Sequence, residues 1–203
     1  MEIQVTKLDK AFKTSQELSK NTVETSKKIS QEFERIIKNM TIHWQGEDAT
    51  LHINQWIEEY DKLSTYFTEL KKTEDYFQNY FTNLQVCRSK TSSNTKVGDV
   101  ICDNYEFNSI SKIDTTMGYY FDEQLKNDYK SLQEVSKYYD EFISTVDSDT
   151  EEIFRDWKIG IGRKEVGDYC QKVSSYSKRI SKDIHELNNK LAIAIYNIDK
   201  INI

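Results

Sequence analysis

Between residues 49 and 84, the positions spaced alternately by four and three residues are almost all apolar. The positions are Ala49, Ile53, Trp56, Tyr60, Leu63, Phe67, Leu70, Glu74, Phe77, Phe81 and Leu84, of which only Glu74 is not apolar. This period is typical of one apolar stripe along a helix of about ten turns. The chain has no Pro and only six Gly, so little interrupts helices elsewhere.

Three further stripes follow the same period. The first lies between Leu8 and Met40, and its small polar middle predicts close packing against a bulky partner or a place near the surface; that middle is Ser15, Ser19, Thr22 and Ser26. The others run over 121–146 and 166–201, and residues 146–152 offer N-cap candidates. We expect helices near 7–41, 48–85, 117–146 and 164–201.

The arrangement of these helices predicts an all-α fold, an elongated antiparallel four-helix bundle. Gly46 and two acids separate the first two helices, which favours a tight turn followed by the positive end of a new helix. We expect a first hairpin over 1–88, a polar linker over 89–116 and a second hairpin over 117–203. Residues 97–107 fit either an extended piece or a segment that packs across the bundle.

Charge and hydropathy exclude several classes of protein. The net charge of -6 and a pI near 5.2 disfavour nucleic-acid binding. The N-terminus has no apolar signal-peptide core, and no apolar run reaches the roughly 20 residues of a membrane span. Cys87, Cys102 and Cys170 are widely and irregularly spaced, which favours free thiols over a metal site or a disulfide set.

No residue pattern indicates catalysis or a cofactor. His43 and His52 flank the first turn, and His185 lies far away, so the three- or four-residue spacing of helical zinc ligands is missing. Gly160 and Gly162 lack the continuation of a phosphate-binding loop. We expect no metal, no cofactor and no enzymatic activity.

A long helix ending at Trp44-Gln45-Gly46, followed by Ala49 and an aromatic-rich helix, resembles the WXG family of type VII secretion, also called the early-secreted-antigen-target family. Members of that family are helical hairpins that pair into four-helix bundles. The second half of the chain is similar to a degenerate copy, in which Trp157 and Gly160 are spaced Trp-x-x-Gly. The resemblance therefore implies a tandem repeat of two hairpins, a bundle completed within one monomer.

The resemblance also directs attention to export signals. The family's Tyr-x-x-x-Asp/Glu pattern is met by Tyr119 and Glu123, which we expect at the start of the third helix. Near the C-terminus, Tyr196 and Asp199 are one residue short of it. These matches imply a protein secreted without a cleaved signal peptide.

The favoured function is a non-enzymatic, virulence-associated WXG-like substrate or accessory protein of a type VII secretion system. Its partners would be the secretion machinery or an effector protein. One alternative is a cytoplasmic adaptor or chaperone whose bundle binds a helical segment of another protein. Another is a helical domain of a pore-forming toxin, which the polar stripes disfavour.

Two features allow both a functional and a structural interpretation. Trp44 and Gly46 either form a recognition feature at the end of the bundle or close its core and permit the turn. The aromatic stripe is either a groove for a partner or part of the core. Its members are Trp56, Tyr60, Phe67, Phe77 and Phe81.

Overall fold

The computed structural model describes residues 8–89, 107–114, 119–120, 122–156 and 163–201. In chain order the elements are α1 (Leu8–His43), β1 (Trp44–Gln45), α2 (Glu47–Ser89), β2 (Tyr119–Tyr120), α3 (Asp122–Asp156) and α4 (Arg163–Ile201).

The four helices form an antiparallel bundle, which confirms the predicted fold class. Helix α1 packs against α2 and α3, and α4 packs against the same two helices from the other side. Phe12 near the start of α1 stacks on Phe81 near the end of α2, while Asn39 near the end of α1 bonds Asp128 near the start of α3. At 1.5 Å per residue, helices of 35 to 43 residues extend about 50–65 Å.

The aromatic stripe of α2 lies in the core. Trp56, Tyr60, Phe67, Phe77 and Phe81 are all buried, so the structure supports their interpretation as core residues. The ring of Phe77 stacks on that of Tyr169 in α4, with 3.9 Å between the ring centroids. Burial of aromatic side chains of this size is a major source of stability in a bundle.

The small polar stripe of α1 is also buried. Ser15, Ser19, Thr22 and Ser26 are each at most 4% exposed. Two of them donate to backbone carbonyls of their own helix: Ser15 donates to Phe12 and Ser26 to Val23. These hydroxyls need no water, because the preceding turn satisfies them. Close packing, one of the two predicted outcomes, is the one observed.

The predicted bounds of the third helix, 117–146, are wrong at both ends. The chain is extended at Tyr119–Tyr120, and α3 then runs from Asp122 to Asp156. The N-cap candidates after Val146 lie inside α3, because Val146, Thr150 and Ile153 continue its buried stripe. Thr150 donates its hydroxyl to the carbonyl of Val146 at 2.7 Å, so a polar residue fits the helix interior.

Residues 107–114, within the predicted linker, form an extended strap on the α1–α2 face. The Phe107 ring lies 5.2 Å from that of Tyr60 and 5.6 Å from that of Phe67. Asn54 of α2 bonds both backbone groups of Ile113, donating to its oxygen at 3.0 Å and accepting from its nitrogen at 2.9 Å. The strap is thus held by aromatic packing at one end and by paired hydrogen bonds at the other.

Candidate interaction site at the turn end

The turn between α1 and α2 depends on Gly46. Its φ is 126°, a region that side-chain-bearing residues rarely adopt. The Gly46 carbonyl accepts bonds from the Thr50 backbone nitrogen at 2.9 Å and from the Thr50 hydroxyl at 3.0 Å. Gly46 therefore reverses the direction of the chain, and α2 begins at the next residue.

Trp44 closes the core beneath this turn. Its side chain is 7% exposed, and its ring stacks on that of His52, with 5.4 Å between centroids and 24° between planes. The Trp44 indole is therefore fixed on the first turns of α2 and is largely hidden from solvent. His52 is half-buried in this stack.

A two-residue antiparallel ladder joins the turn to the second half of the chain. Trp44 pairs with Tyr120, and Gln45 pairs with Tyr119. The expectation that Tyr119 lies at the start of the third helix is therefore wrong, because its backbone pairs with β1 instead. Glu123 is exposed in the first turn of α3. Both members of the Tyr119–Glu123 pattern lie next to the Trp-x-Gly turn.

The C-terminal part of α4 reaches the same end of the bundle. Lys190 of α4 lies 3.4 Å from Glu59 of α2, and the two helices are antiparallel, so residues beyond Lys190 run alongside the first turns of α2. Tyr196 is 59% exposed there, and Asp199 lies in the last turns of α4. We call residues 42–51, 119–120, 122–123 and 193–201 the turn end. Trp157 and Gly160 lie outside the described residues.

The turn end carries apolar side chains that the fold does not bury. Within the described part of the chain, four of the six large hydrophobic residues that are exposed belong to it. They are Ile42 (48%), Leu51 (59%), Ile193 (59%) and Tyr196 (59%). They lie on α1, α2 and α4 at one end of the bundle.

A groove borders the turn end between α2 and the strap. It encloses about 800 Å³ and is lined by Glu47, Asp48, Thr50, Leu51, Asn54, Gln55, Glu58, Lys112 and Asp114. Lys112 pairs with Glu58 at 2.5 Å. Among the described residues, Glu47, Asp48 and Asp114 form no ion pair, so the groove has an acidic rim.

Asp128, on the buried stripe of α3, anchors α3 to α1 near the turn end. Its side chain is fully buried. Its Oδ1 accepts a bond from Asn39 Nδ2 at 3.1 Å and lies 3.6 Å from Arg35 Nη1. Burial raises the pKa of Asp128, and the Asn39 bond and the Arg35 charge partly oppose this. The signal was its break of an otherwise apolar stripe.

Two other candidate residues, His185 and Cys170, have surroundings typical of structural side chains. His185 lies on the surface beside Asp140, with 3.1 Å between Nε2 and Oδ1. Cys170 is a free thiol whose pKa burial raises to about 12, which leaves little reactive thiolate. In the ranges that the structure describes, no three His, Cys, Asp or Glu side chains come together as metal ligands.

The chain matches no protein-family model, no curated protein and no solved structure in the comparisons made. None of the described helices combines the length and the apolar character that crossing a bilayer requires.

Proposed function

We propose that the chain is a non-enzymatic WXG-like protein, exported as a folded substrate or accessory protein of a type VII secretion system. The observation that carries this proposal is the position of Trp44-Gln45-Gly46 at the tip of a hairpin, where Gly46 has a φ of 126°. The motif that suggested the resemblance thus lies at a hairpin turn, which supports the proposal.

The arrangement around the tip supports a recognition role for this end. Tyr119 is paired beside Gln45, and Glu123 is exposed in the next helix. Tyr196 is exposed on α4 at the same end. In the proposed mechanism, the bundle presents these residues and the nearby exposed apolar side chains to the secretion machinery or to an effector protein.

The proposal treats the chain as a self-contained monomer. The α1–α2 and α3–α4 hairpins pack on each other, as two separate chains would in a paired bundle. Joining two hairpins in one polypeptide raises their effective concentration to the order of mM. Light scattering that gives the 24.0 kDa mass of one chain would support this part of the proposal, and a stable dimer would count against it.

Export of single-residue variants tests whether the turn end acts as a signal. Tyr196→Ala removes an exposed ring at the turn end, and Tyr76→Ala removes a 68% exposed ring elsewhere on the bundle. Glu123→Gln removes an acid from the first turn of α3, and Glu165→Gln does so in the first turn of α4, at the opposite end.

We expect Tyr196→Ala or Glu123→Gln to lower the exported fraction at least about fivefold, with cellular levels unchanged. Tyr76→Ala and Glu165→Gln should be exported like the unmodified chain. Equal export of all four variants would remove the turn end from the proposal. Retention of the unmodified chain in the cytoplasm would instead favour the adaptor alternative.

A further inference from the structure

Glu74 lies in the middle of the bundle and is fully buried. Its Oε1 accepts a hydrogen bond from the Thr22 hydroxyl of α1 at 2.6 Å. Its Oε2 has no hydrogen-bond partner among the described residues. A buried carboxylate in this position would be only half satisfied, which is costly for a charged group.

Every helix contributes groups that face Glu74. From α1 these are Thr22 and Ser19, from α2 Lys71 and Asp75, from α3 Tyr139, and from α4 Tyr169. Lys71 is the one cation among them, and it forms an ion pair with Asp75. Among the described residues, the one cation that faces Glu74 is therefore already paired with another acid.

Further buried polar groups accompany this carboxyl. The Gln78 amide and the hydroxyls of Tyr139, Tyr169 and Ser177 have no hydrogen-bond partner among the described residues. We call Glu74, Gln78, Tyr139 and Tyr169, with Thr22, the Glu74 layer. It places a carboxyl group in the buried middle of the bundle, where desolvation disfavours the charged form.

We propose that the Glu74 layer is a proton-dependent lock, closed while the Glu74 carboxyl holds a proton and loosened when that proton passes to solvent. Lys71, the one cation that faces Glu74, is already paired with Asp75, so a charge that forms there favours entry of water or separation of the helices. This inference stands independently of the proposed function, since it concerns the middle of the bundle and not the turn end.

The pH range of the lock follows from the two states of Glu74. Burial raises the pKa of Glu74 from 4.5 to about 8, and the Thr22 bond and the Lys71 charge partly oppose it. Below 4.5 the carboxyl is protonated in both the folded and the unfolded chain. Between 4.5 and about 8 only the folded chain keeps the proton, so this contribution to stability falls as pH rises.

The test compares the full chain with Glu74→Gln at pH 5.5 and pH 7.5, by denaturant unfolding. For each pH unit, the unfolding equilibrium constant of the unmodified chain should rise by a factor about ten times larger than the factor for Glu74→Gln. Glu141→Gln, on an exposed face of α3, is the matched control and should behave like the unmodified chain. Burial also raises the pKa of the buried Asp128 and of the half-buried Asp149, but both residues are present in all three chains, so their effects cancel.

Hydrogen exchange locates the loosening. In the unmodified chain, amides around residues 70–78 should exchange faster at pH 7.5 than at pH 5.5, after correction for intrinsic rates, and amides around residues 53–57 should change less. Equal pH dependence in the unmodified chain and Glu74→Gln would overturn the proposal. If Glu74→Gln does not fold, carboxyl-carbon NMR of the unmodified chain decides: ionisation of Glu74 complete by pH 6 would also overturn it.

Discussion

Trp44 pairs with Tyr120 through an antiparallel ladder that joins the tip of the first hairpin to the segment just before α3. Because the Trp44 ring also stacks on His52 of α2, this one residue connects the first two helices to the start of the second hairpin. The turn end is thus assembled from distant parts of the sequence, and its geometry should be sensitive to Gly46.

Gly46→Ala should destabilise the chain by about 1–2 kcal/mol, because alanine is strained at a φ of 126°. The free energy of unfolding from denaturant titration measures this effect. Gly167→Ala is the control, since Gly167 lies inside α4 and an added Cβ would approach the Phe154 ring at 3.3 Å. Gly167→Ala should change stability by less than about 1 kcal/mol, because helix propensity offsets that contact. A neutral Gly46→Ala would contradict the turn geometry.

Trp56→Ala should cost about 3–5 kcal/mol, because it removes a ring that is 2% exposed and lies 5.9 Å, centroid to centroid, from Phe33. Leu51→Ala on the same helix truncates a side chain that is 59% exposed and should cost less than about 0.5 kcal/mol. Thermal and denaturant unfolding of both variants measure the contrast. A Trp56→Ala loss below about 1 kcal/mol would place that ring outside the core.

Asn54→Ala should release the strap without unfolding the bundle. Asn54 satisfies both backbone groups of Ile113, so its loss leaves the two groups to water. We expect the Ile113 amide to exchange with solvent at least about tenfold faster, while amides in the middle of α2 keep their protection. Gln55→Ala, at the exposed neighbouring position, should leave Ile113 unchanged. Unaltered exchange in Asn54→Ala would show that other contacts hold the strap.

Cys170 should resist thiol reagents while the chain is folded. Its sulfur contacts the Thr150 carbonyl at 3.3 Å, and burial raises its pKa to about 12. At pH 8 the thiolate fraction is then on the order of a thousandfold below that of a free cysteine. The measurement is the rate of disulfide-reagent labelling in a chain carrying Cys87→Ser and Cys102→Ser. Labelling of the folded chain as fast as that of the denatured chain would refute the burial of Cys170.

Hydrophobic period alone predicted the fold class and most of the core. The α2 stripe from Ala49 to Phe81 is buried throughout, because a four-three period on a helix fixes which face turns inward. The same spacing did not predict the bounds of α3. At its C-terminal end, Thr150 bonds within the helix and does not cap a new one. Local sequence does not reveal which of these bonds a polar residue makes.

Long-range pairing limited what the sequence could say about the candidate site. Gly46 at the turn could be predicted, because a tight reversal favours glycine. The pairing of Gln45 with Tyr119 could not, because two-residue strands leave no periodic signal and depend on how the helices dock. The hydrogen bonds between Asn54 and Ile113 likewise leave no pattern in the local sequence. Glu74 stood out as the one break in the α2 stripe, but the sequence could not show that its partner, Thr22, lies on another helix.

Export that depends on the type VII secretion ATPase tests the central claim most directly. The unmodified chain is followed by immunoblot in culture supernatant and cells of the source organism, with and without a functional ATPase, and a cytoplasmic marker controls for lysis. We predict the chain outside the cells only when the ATPase works. Strict retention in cells, or equal release without the ATPase, would contradict the account.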